Sequence, residues 1–484
     1  MKILLVHPCI EAGKITPFFP LGLGYVASVL LAAGHEVNVL DINEHYDWPW
    51  TAVAEEIKKA EYDVMGITGK ISDFFSIQQL ARISKQYNHQ ANVLVGGALA
   101  SAAPQVILEG TEADIVIKGE GEHAVIDLLK TLESGHDLNS VQGIFYKKDS
   151  LIISTASAEN PVDLEKNLFP AWHLFSMKFY TQITKYPFSR IAHMSMITSR
   201  GCPYKCVFCS HTVFGHKFRP RPVNSIVEEM WELRKKFKVK GINFEDDTFT
   251  LDKNRVHSLC DKLIRQRMKM VWTCTGRTDS IDKDLLKHMK QAGCVAMSLG
   301  VESGSQLIID EIEKGTTVEK NRIAMKIAWD VGIVVKPFML IGMPSETKKT
   351  LEQSIEFCKD VGSTPEFSIV TPLPATDLWN RASLMGKVKS EQQLVEAWGH
   401  WFNGVLVNMS AMSDEELIEA KKQAERELFN YNLLHHWKHH LIIIMMFIKV
   451  NGAADILFRA KNFLRRIFSF NKIKKRENQN VCFK

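Results

Sequence analysis

Short apolar runs with no polar alternation recur through the first third of the chain, each followed by a stretch of helical period. Runs at 3–6, 37–40, 64–68, 93–95 and 115–117 alternate with helix-like stretches at 23–33, 53–59, 77–87 and 123–132. A strand that is apolar at every position is buried on both faces, as in a parallel sheet covered by helices. The pattern predicts a doubly wound α/β domain over residues 1–140. Ligands of such sheets bind beyond the carboxyl ends of the strands. Small residues gather at those ends: Gly69, Lys70 and Ser72 after the third run, Gly96 and Gly97 after the fourth, Gly119, Glu120 and Gly121 after the fifth. Glycine there lets a ligand approach the backbone, although glycine also simply ends strands. No GxGxxG opens a helix, which disfavours a dinucleotide.

Residues 141–190 read as a connector. It contains a hairpin, 143–146 and 151–154 around a polar turn, and then a loop punctuated by Pro161, Pro170 and Pro187 that carries Trp172 and Phe175, either as cleft lining or as local core. Alternation resumes over 191–390, with strands expected at 195–199, 241–244, 271–275, 295–299, 336–341 and 367–370 and helices between them. Six strands are too few for a closed eight-stranded barrel and predict a partial one, with chemistry at the carboxyl ends. Polar clusters fall there: Glu245 and Asp246, Arg277, Glu302 and Ser303. For Glu245 and Asp246 a surface ion pair is the plain alternative.

The chain of 484 residues is too long for one core, and its net charge of +5 is mild, so nucleic acid is not an expected partner. Nine cysteines behind an amino terminus that reads as a strand point to a reducing, cytoplasmic setting. Six of them, Cys9, Cys260, Cys274, Cys294, Cys358 and Cys482, are dispersed and read as small core or surface residues.

The other three are not dispersed. Cys202, Cys206 and Cys209 form a CxxxCxxC run directly after an apolar segment. Three thiolates can hold an iron–sulfur cubane and leave one iron open to a small molecule. With His211 as a fourth ligand, a Cys₃His zinc site is the competing reading, but no second ligand pair at finger spacing follows. The loop, with Phe208 before its third cysteine, resembles the signature of the radical S-adenosylmethionine (SAM) enzymes. That resemblance implies a [4Fe–4S] cluster on Cys202, Cys206 and Cys209, SAM on the open iron, and a 5′-deoxyadenosyl radical formed by one electron from a donor such as flavodoxin or ferredoxin. It implies SAM contacts for Phe208, Glu245, Asp246, Arg277, Glu302 and Ser303.

Placed before this motif, the first domain resembles the cobalamin-binding domain of the cobalamin-dependent radical SAM family. The resemblance implies cobalamin contacts at Gly69, Lys70, Ser72, Gly96, Gly97, Gly119, Glu120 and Gly121. The DxHxxG pattern whose histidine coordinates cobalt is absent, and Lys70 and Ser72 are the candidates for the lower face. The implied activity is C-methylation of an unactivated carbon on a small apolar substrate, a lipid, isoprenoid or tetrapyrrole. Ring formation, as in the anaerobic magnesium-protoporphyrin monomethyl ester cyclase, is the alternative with the same parts. A cobalamin sensor or carrier with a structural metal is the alternative of another class.

Residues 391–484 read as a helical extension. Ser413 and Glu416 make a capping box, followed by His435, His436, His439 and His440, read as a metal site or as a helix surface. The apolar run 441–448 is too short to span a membrane. Ile456, Leu457, Phe463, Leu464, Ile467 and Phe468 then recur at helical spacing among Arg459, Lys461, Arg465 and Arg466, with Lys472, Lys474, Lys475 and Arg476 beyond. This is the pattern of an interfacial helix on an anionic membrane, or of a docked helix with a solvated basic end.

Overall fold

A computed structural model of the chain describes residues 1–452 apart from 9–17, 150, 158–160, 167, 183–186, 189 and 400–404. The expected basic tail after 452, together with Cys9 and Cys482, lies outside the described residues.

The first five apolar runs become parallel strands β1 (Lys2–His7), β2 (Glu36–Asp41), β3 (Val64–Thr68), β4 (Asn92–Gly96) and β5 (Ile115–Ile117). Their order is β2-β1-β3-β4-β5, with helices on both faces. Successive side chains point to opposite faces, so Ile3 and Leu5 join one apolar cluster while Leu4 and Val6 join another. The hairpin assigned by sequence to the connector instead completes this sheet: β6 (Ile144–Lys148) pairs antiparallel with β5, and β7 (Leu151–Ser154) with β6. Gly97 opens the turn after β4 with φ of +94°, and a Cβ there would lie 2.9 Å from Gly69 O and from Thr68 Oγ1, so only glycine closes the strand ends together.

The second sheet has six parallel strands in sequential order, the partial barrel expected. It is built from β8 (His193–Met196), the two-residue ribbon β9 (Ser199–Arg200) with β10 (Arg219–Pro220), then β11 (Gly241–Phe244), β12 (Val271–Arg277), β13 (Cys294–Glu302), β14 (Val334–Ile341) and β15 (Phe367–Ile369), the ribbon forming its own small ladder. The strand expected at 195–199 leaves the sheet early. Thr198 N and Oγ1 and Ser199 Oγ all donate to the Asp246 carboxylate at 2.5–2.6 Å, which turns the chain outward. Trp272, with no exposed surface, packs against Phe244 and Phe249 at 5.6 Å, its Nε1 donating to Ala292 O at 2.9 Å.

Trp172 and Phe175 are local core: both are buried and pack on Phe19 at 4.5 and 4.7 Å. The histidine-rich turn is a docking surface. His436 Nε2 lies 2.7 Å from Lys359 O, His439 Nδ1 lies 3.1 Å from Gly362 O and stacks on Trp329 at 4.1 Å, and His440 Nε2 lies 3.0 Å from Asn432 O. The helix Trp437–Asn451 that follows buries Met446, Phe447 and Val450 against Phe188, Val295 and Val334, at the amino ends of the barrel strands.

The two halves are joined by charges with little access to water. Arg200 Nη2 donates to Glu122 Oε1 at 2.6 Å, with its guanidinium over Tyr25 at 5.1 Å and Phe214 at 5.3 Å. Glu120 accepts from Arg219 Nη1 at 3.1 Å and from Val162 N at 2.8 Å. Arg221 reaches Glu229 at 2.6 Å and Tyr25 Oη at 3.4 Å. Removing one member of a buried pair leaves the other uncompensated, so Arg200→Ala is expected to cost about 3–5 kcal/mol in urea unfolding. Replacing both partners, Arg200→Met with Glu122→Gln, is expected to recover most of that loss.

Candidate active site between the two sheets

The cysteine loop starts at the carboxyl end of the first barrel strand and is fixed by its backbone. Gly201 has φ of +82°, and a Cβ on it would meet Lys217 O at 2.3 Å. Cys202 N donates to Gly215 O at 3.3 Å, Val207 N to Ile312 O at 3.2 Å, Cys209 N to Cys206 O at 3.0 Å, and Leu378 N to Val207 O at 2.8 Å. Val207 is buried among Ile308, Ile312, Met343 and Leu378, with Phe208 half-buried alongside. The residues between the second and third cysteines thus anchor the loop, and the sulfurs are left at its surface.

Cations stand beside those sulfurs. Arg277 Nη1 is 4.0 Å from Cys206 Sγ, and its guanidinium lies on the Tyr204 ring at 3.5 Å. Its Nε and Nη2 are held by Asp279 at 2.9 and 2.7 Å, and Nη2 also by Lys314 O at 2.6 Å, so Nη1 is the donor that remains toward the site. Lys314 pairs with Glu302 at 2.7 Å, both buried. Burial pushes the Cys206 thiol up against the pull of Lys314 and Arg277. Burial and the neighbouring Cys206 and Cys202 sulfurs push Cys209 up to about 12. Cysteine ligands bind a metal as thiolates, so metal binding releases the protons of such thiols. Among the described residues no three His, Cys, Asp or Glu side chains are gathered for a single metal ion; the ligands of a cubane attach at separate irons and need not be. His211, the zinc reading's fourth ligand, lines the same cleft as Cys206 and Cys209, its ring tilted against His216 at 4.2 Å. The donor set fits an iron–sulfur cubane with one iron not held by protein.

The other expected SAM contacts divide. Glu245 sits at the strand end, accepting from Ser195 Oγ at 2.9 Å. Asp246 faces away: its carboxylate is filled by Thr198 and Ser199, with Arg255 at 3.6 Å, and it braces the loop from behind. The sequence expectation of a SAM contact there gives way to a structural one, because neighbouring residues 245 and 246 point in opposite directions. Ser303 is also withdrawn, fully buried with its Oγ 3.0 Å from Ser354 Oγ and accepting from Ser305 N. Sequence reasoning missed Tyr204, Lys314 and Thr248, whose Oγ1 is 3.7 Å from Cys202 Sγ; no motif marks them.

In the first domain a cavity of about 140 Å³ lies against the sheet, lined by Ile3, Leu5, Gly66, Thr68, Gly96, Gly97, Gly119, Glu120 and Gly121, and by Arg200 and Phe214 from the second half. Five of the eight expected cobalamin contacts are therefore brought together. Gly69, Lys70 and Ser72 are not in its wall; Lys70 N and Ser72 Oγ are tied to Asp73 at 2.8 and 3.4 Å. Glu120 lines the cavity with its carboxylate committed to Arg219 and Val162. A slot with apolar walls and glycines along its edge suits the tail of a cobalamin. A second cleft, of about 510 Å³, opens beside Cys206 and Cys209 and includes Lys118, the neighbour of Gly119.

Gly201→Ala combines a left-handed backbone, which costs roughly 1–2 kcal/mol for a residue with a Cβ, with the contact to Lys217 O. It is expected to lower the iron bound per chain after anaerobic reconstitution severalfold. Gly215→Ala is the comparison, since φ there is +68° but a Cβ would meet nothing within 4 Å; it is expected to retain most of its iron.

Comparison with known proteins agrees with this geometry. The B12 binding domain family matches residues 16–129 and the Radical SAM superfamily residues 196–358. An uncharacterized methyltransferase of Pyrococcus horikoshii is 32% identical over 79% of this chain and 83% of its own. The anaerobic magnesium-protoporphyrin IX monomethyl ester cyclase of Rubrivivax gelatinosus is 28% identical, covering 78% and 69%. Hopanoid C-3 methylase of Methylococcus capsulatus is 26% identical, covering 79% and 73%. The structure of the radical SAM methyltransferase TsrM from Kitasatospora setae, with cobalamin and a [4Fe–4S] cluster bound, superposes with a TM-score of 0.69 at 19% identity, over 80% of this chain and 79% of that one. With a cluster loop at the mouth of a partial barrel and a glycine-edged cavity facing it from a parallel sheet, this chain belongs to the cobalamin-dependent radical SAM enzymes, which work with a [4Fe–4S] cluster, SAM and cobalamin.

Proposed function

We propose that the chain is a C-methyltransferase acting on an unactivated carbon of a small apolar molecule. One observation carries this reading: a cleft lined by Lys118, Gly119, Glu120, Thr212 and Phe214 borders both the cysteine cleft, through Lys118 and Thr212, and the glycine-edged cavity, through Gly119, Glu120 and Phe214, so the two candidate cofactor sites adjoin. When bound, the cluster with SAM supplies carbon-radical chemistry and cobalamin supplies a methyl group. The chain's own residues position and shield. Arg277 Nη1 is suited to the SAM carboxylate, Lys314 offsets negative charge at the cysteines, and the Arg200 and Arg219 pairs fix the spacing of the two sheets. Phe208, Glu245 and Glu302 remain the proposed SAM contacts, and Gly96, Gly97, Gly119, Glu120 and Gly121 the proposed cobalamin contacts. An apolar substrate is supported by relatives named for a hopanoid and for a porphyrin ester. A flavodoxin- or ferredoxin-type protein is the proposed electron donor.

A second part of the proposal is contact with an anionic membrane surface. On the helix Trp437–Asn451, Trp437, Leu441, Ile444, Met445 and Ile448 recur at helical spacing and are exposed, Met445 by 67%. Residues 453–484 hold nine Lys or Arg and two Asp or Glu, a net of +7 against +5 for the whole chain, which leaves −2 for everything before them. An apolar stripe continued by the chain's entire positive excess supports peripheral attachment. No helix among the described residues is long and apolar enough to cross a membrane.

Anaerobic turnover with SAM carrying a deuterated methyl group tests the chemistry. The expected product of a candidate substrate contains that label at carbon; an unlabelled product with a new ring would replace methyl transfer by cyclisation. For the membrane contact, Leu441→Asp with Met445→Asp, and separately removal of 453–484, are each expected to abolish co-sedimentation with phosphatidylserine vesicles at low salt. Unchanged co-sedimentation in both would overturn it.

A further inference from the structure

One group of titratable side chains at the carboxyl end of the first sheet has no part in the reading above. His7, the last residue of β1, places Nδ1 2.9 Å from Asp41 Oδ1 and 3.2 Å from the Tyr180 hydroxyl. The Tyr180 hydroxyl donates to Asp41 Oδ2 at 2.6 Å, and Asn43 N donates to Asp41 Oδ1 at 3.1 Å. All three side chains of the triad are buried. With one carboxylate oxygen occupied by the phenol, the other receives the imidazole proton. The arrangement therefore holds the proton on Nδ1 and leaves the lone pair on Nε2, which has no hydrogen-bond partner among the described residues.

The position of His7 in the sheet places it near a ligand crevice. The sheet runs outward one way from β1 to β2 and the other way from β3 onward. The crevice beyond the carboxyl ends of β1 and β3 is thus the switch point at which such sheets take their ligands. Ile3 and Leu5 line the 140 Å³ cavity, and His7 is the next residue on the same face of β1, one step nearer the carboxyl end. From β3, Gly66 and Thr68 rise along the same cavity. A molecule whose tail fills the cavity has its larger part at the level of His7.

We propose that His7 Nε2 is the protein ligand to the cobalt of bound cobalamin, with Asp41 and Tyr180 as the residues that fix its tautomer. This rests on the chain binding cobalamin and goes beyond it by naming the atom. The chemistry suits a metal: an imidazole whose second nitrogen donates to a carboxylate is oriented and made more basic, as histidine ligands usually are. Lys70 and Ser72, the positions favoured by sequence, are less well placed. The Lys70 ammonium is exposed over the Phe18 ring at 5.8 Å, and the Ser72 hydroxyl is turned to Asp73.

The test uses full-length protein loaded anaerobically with cob(II)alamin, with loading measured by absorbance, so that failure to bind cobalamin is seen separately from failure of the ligand assignment. Electron paramagnetic resonance of wild type is expected to show splitting from one nitrogen, and protein labelled with ¹⁵N-histidine is expected to convert each triplet to a doublet. His7→Gln is expected to lose that splitting, while Lys70→Ala and Ser72→Ala keep it. Should His7→Gln load poorly, Asp41→Asn, which leaves the imidazole in place, is expected to load and to show an altered coupling. A wild-type spectrum with no nitrogen splitting, a splitting indifferent to the histidine label, or a labelled splitting that survives in His7→Gln would each overturn the assignment.

Discussion

Two sets of buried ion pairs make one catalytic space out of two independent sheets. Arg200 follows the Thr198 and Ser199 contacts to Asp246 and precedes Gly201, so the residue that grips Glu122 in the first domain is adjacent to the loop that carries the cysteines. Glu120 and Glu122 flank Gly121 at the edge of the cobalamin cavity. A shift at either end of this clamp moves a cofactor site directly. Buried charges of this kind add little net stability; what they specify here is a distance and an orientation that apolar packing alone would leave soft.

Much of the architecture was legible because parallel strands buried on both faces have an unmistakable composition, and because the three cysteines are close in sequence. The carboxyl ends of the strands were legible too, since glycine and polar residues follow each apolar run. What failed were judgements about which way a side chain points. Glu245 and Asp246 are adjacent, and nothing local says that Asp246 turns back to hold Thr198 and Ser199. Ser303 lies at a strand end but faces Ser354. The hairpin 144–154 was recognised as a hairpin, but its attachment to β5 is a pairing between distant residues and leaves no local trace.

The same limit explains the residues that sequence reasoning missed. Tyr204 acquires its meaning only when Arg277, from β12, lies across its ring, and Lys314 only when Glu302 turns toward it. His7 acquires a role only with Asp41 and Tyr180, 34 and 173 positions away in sequence, beside it. Conversely, four histidines in six residues read equally as a metal site or a helix surface, and each sets one ring nitrogen against a backbone carbonyl near a helix end.

The helix Trp437–Asn451 packs beneath the barrel, against the first residues of β13 and β14, while the cysteines stand at the opposite ends of the same strands. An eight-residue strand spans roughly 26 Å at about 3.3 Å per residue. If that helix rests on a bilayer, the reactive cleft therefore points toward the aqueous phase. In that arrangement an apolar substrate would not slide laterally from the leaflet into the cleft; it would have to leave the bilayer first, by a carrier or by its own partition into water, and attachment would raise only the local concentration of enzyme.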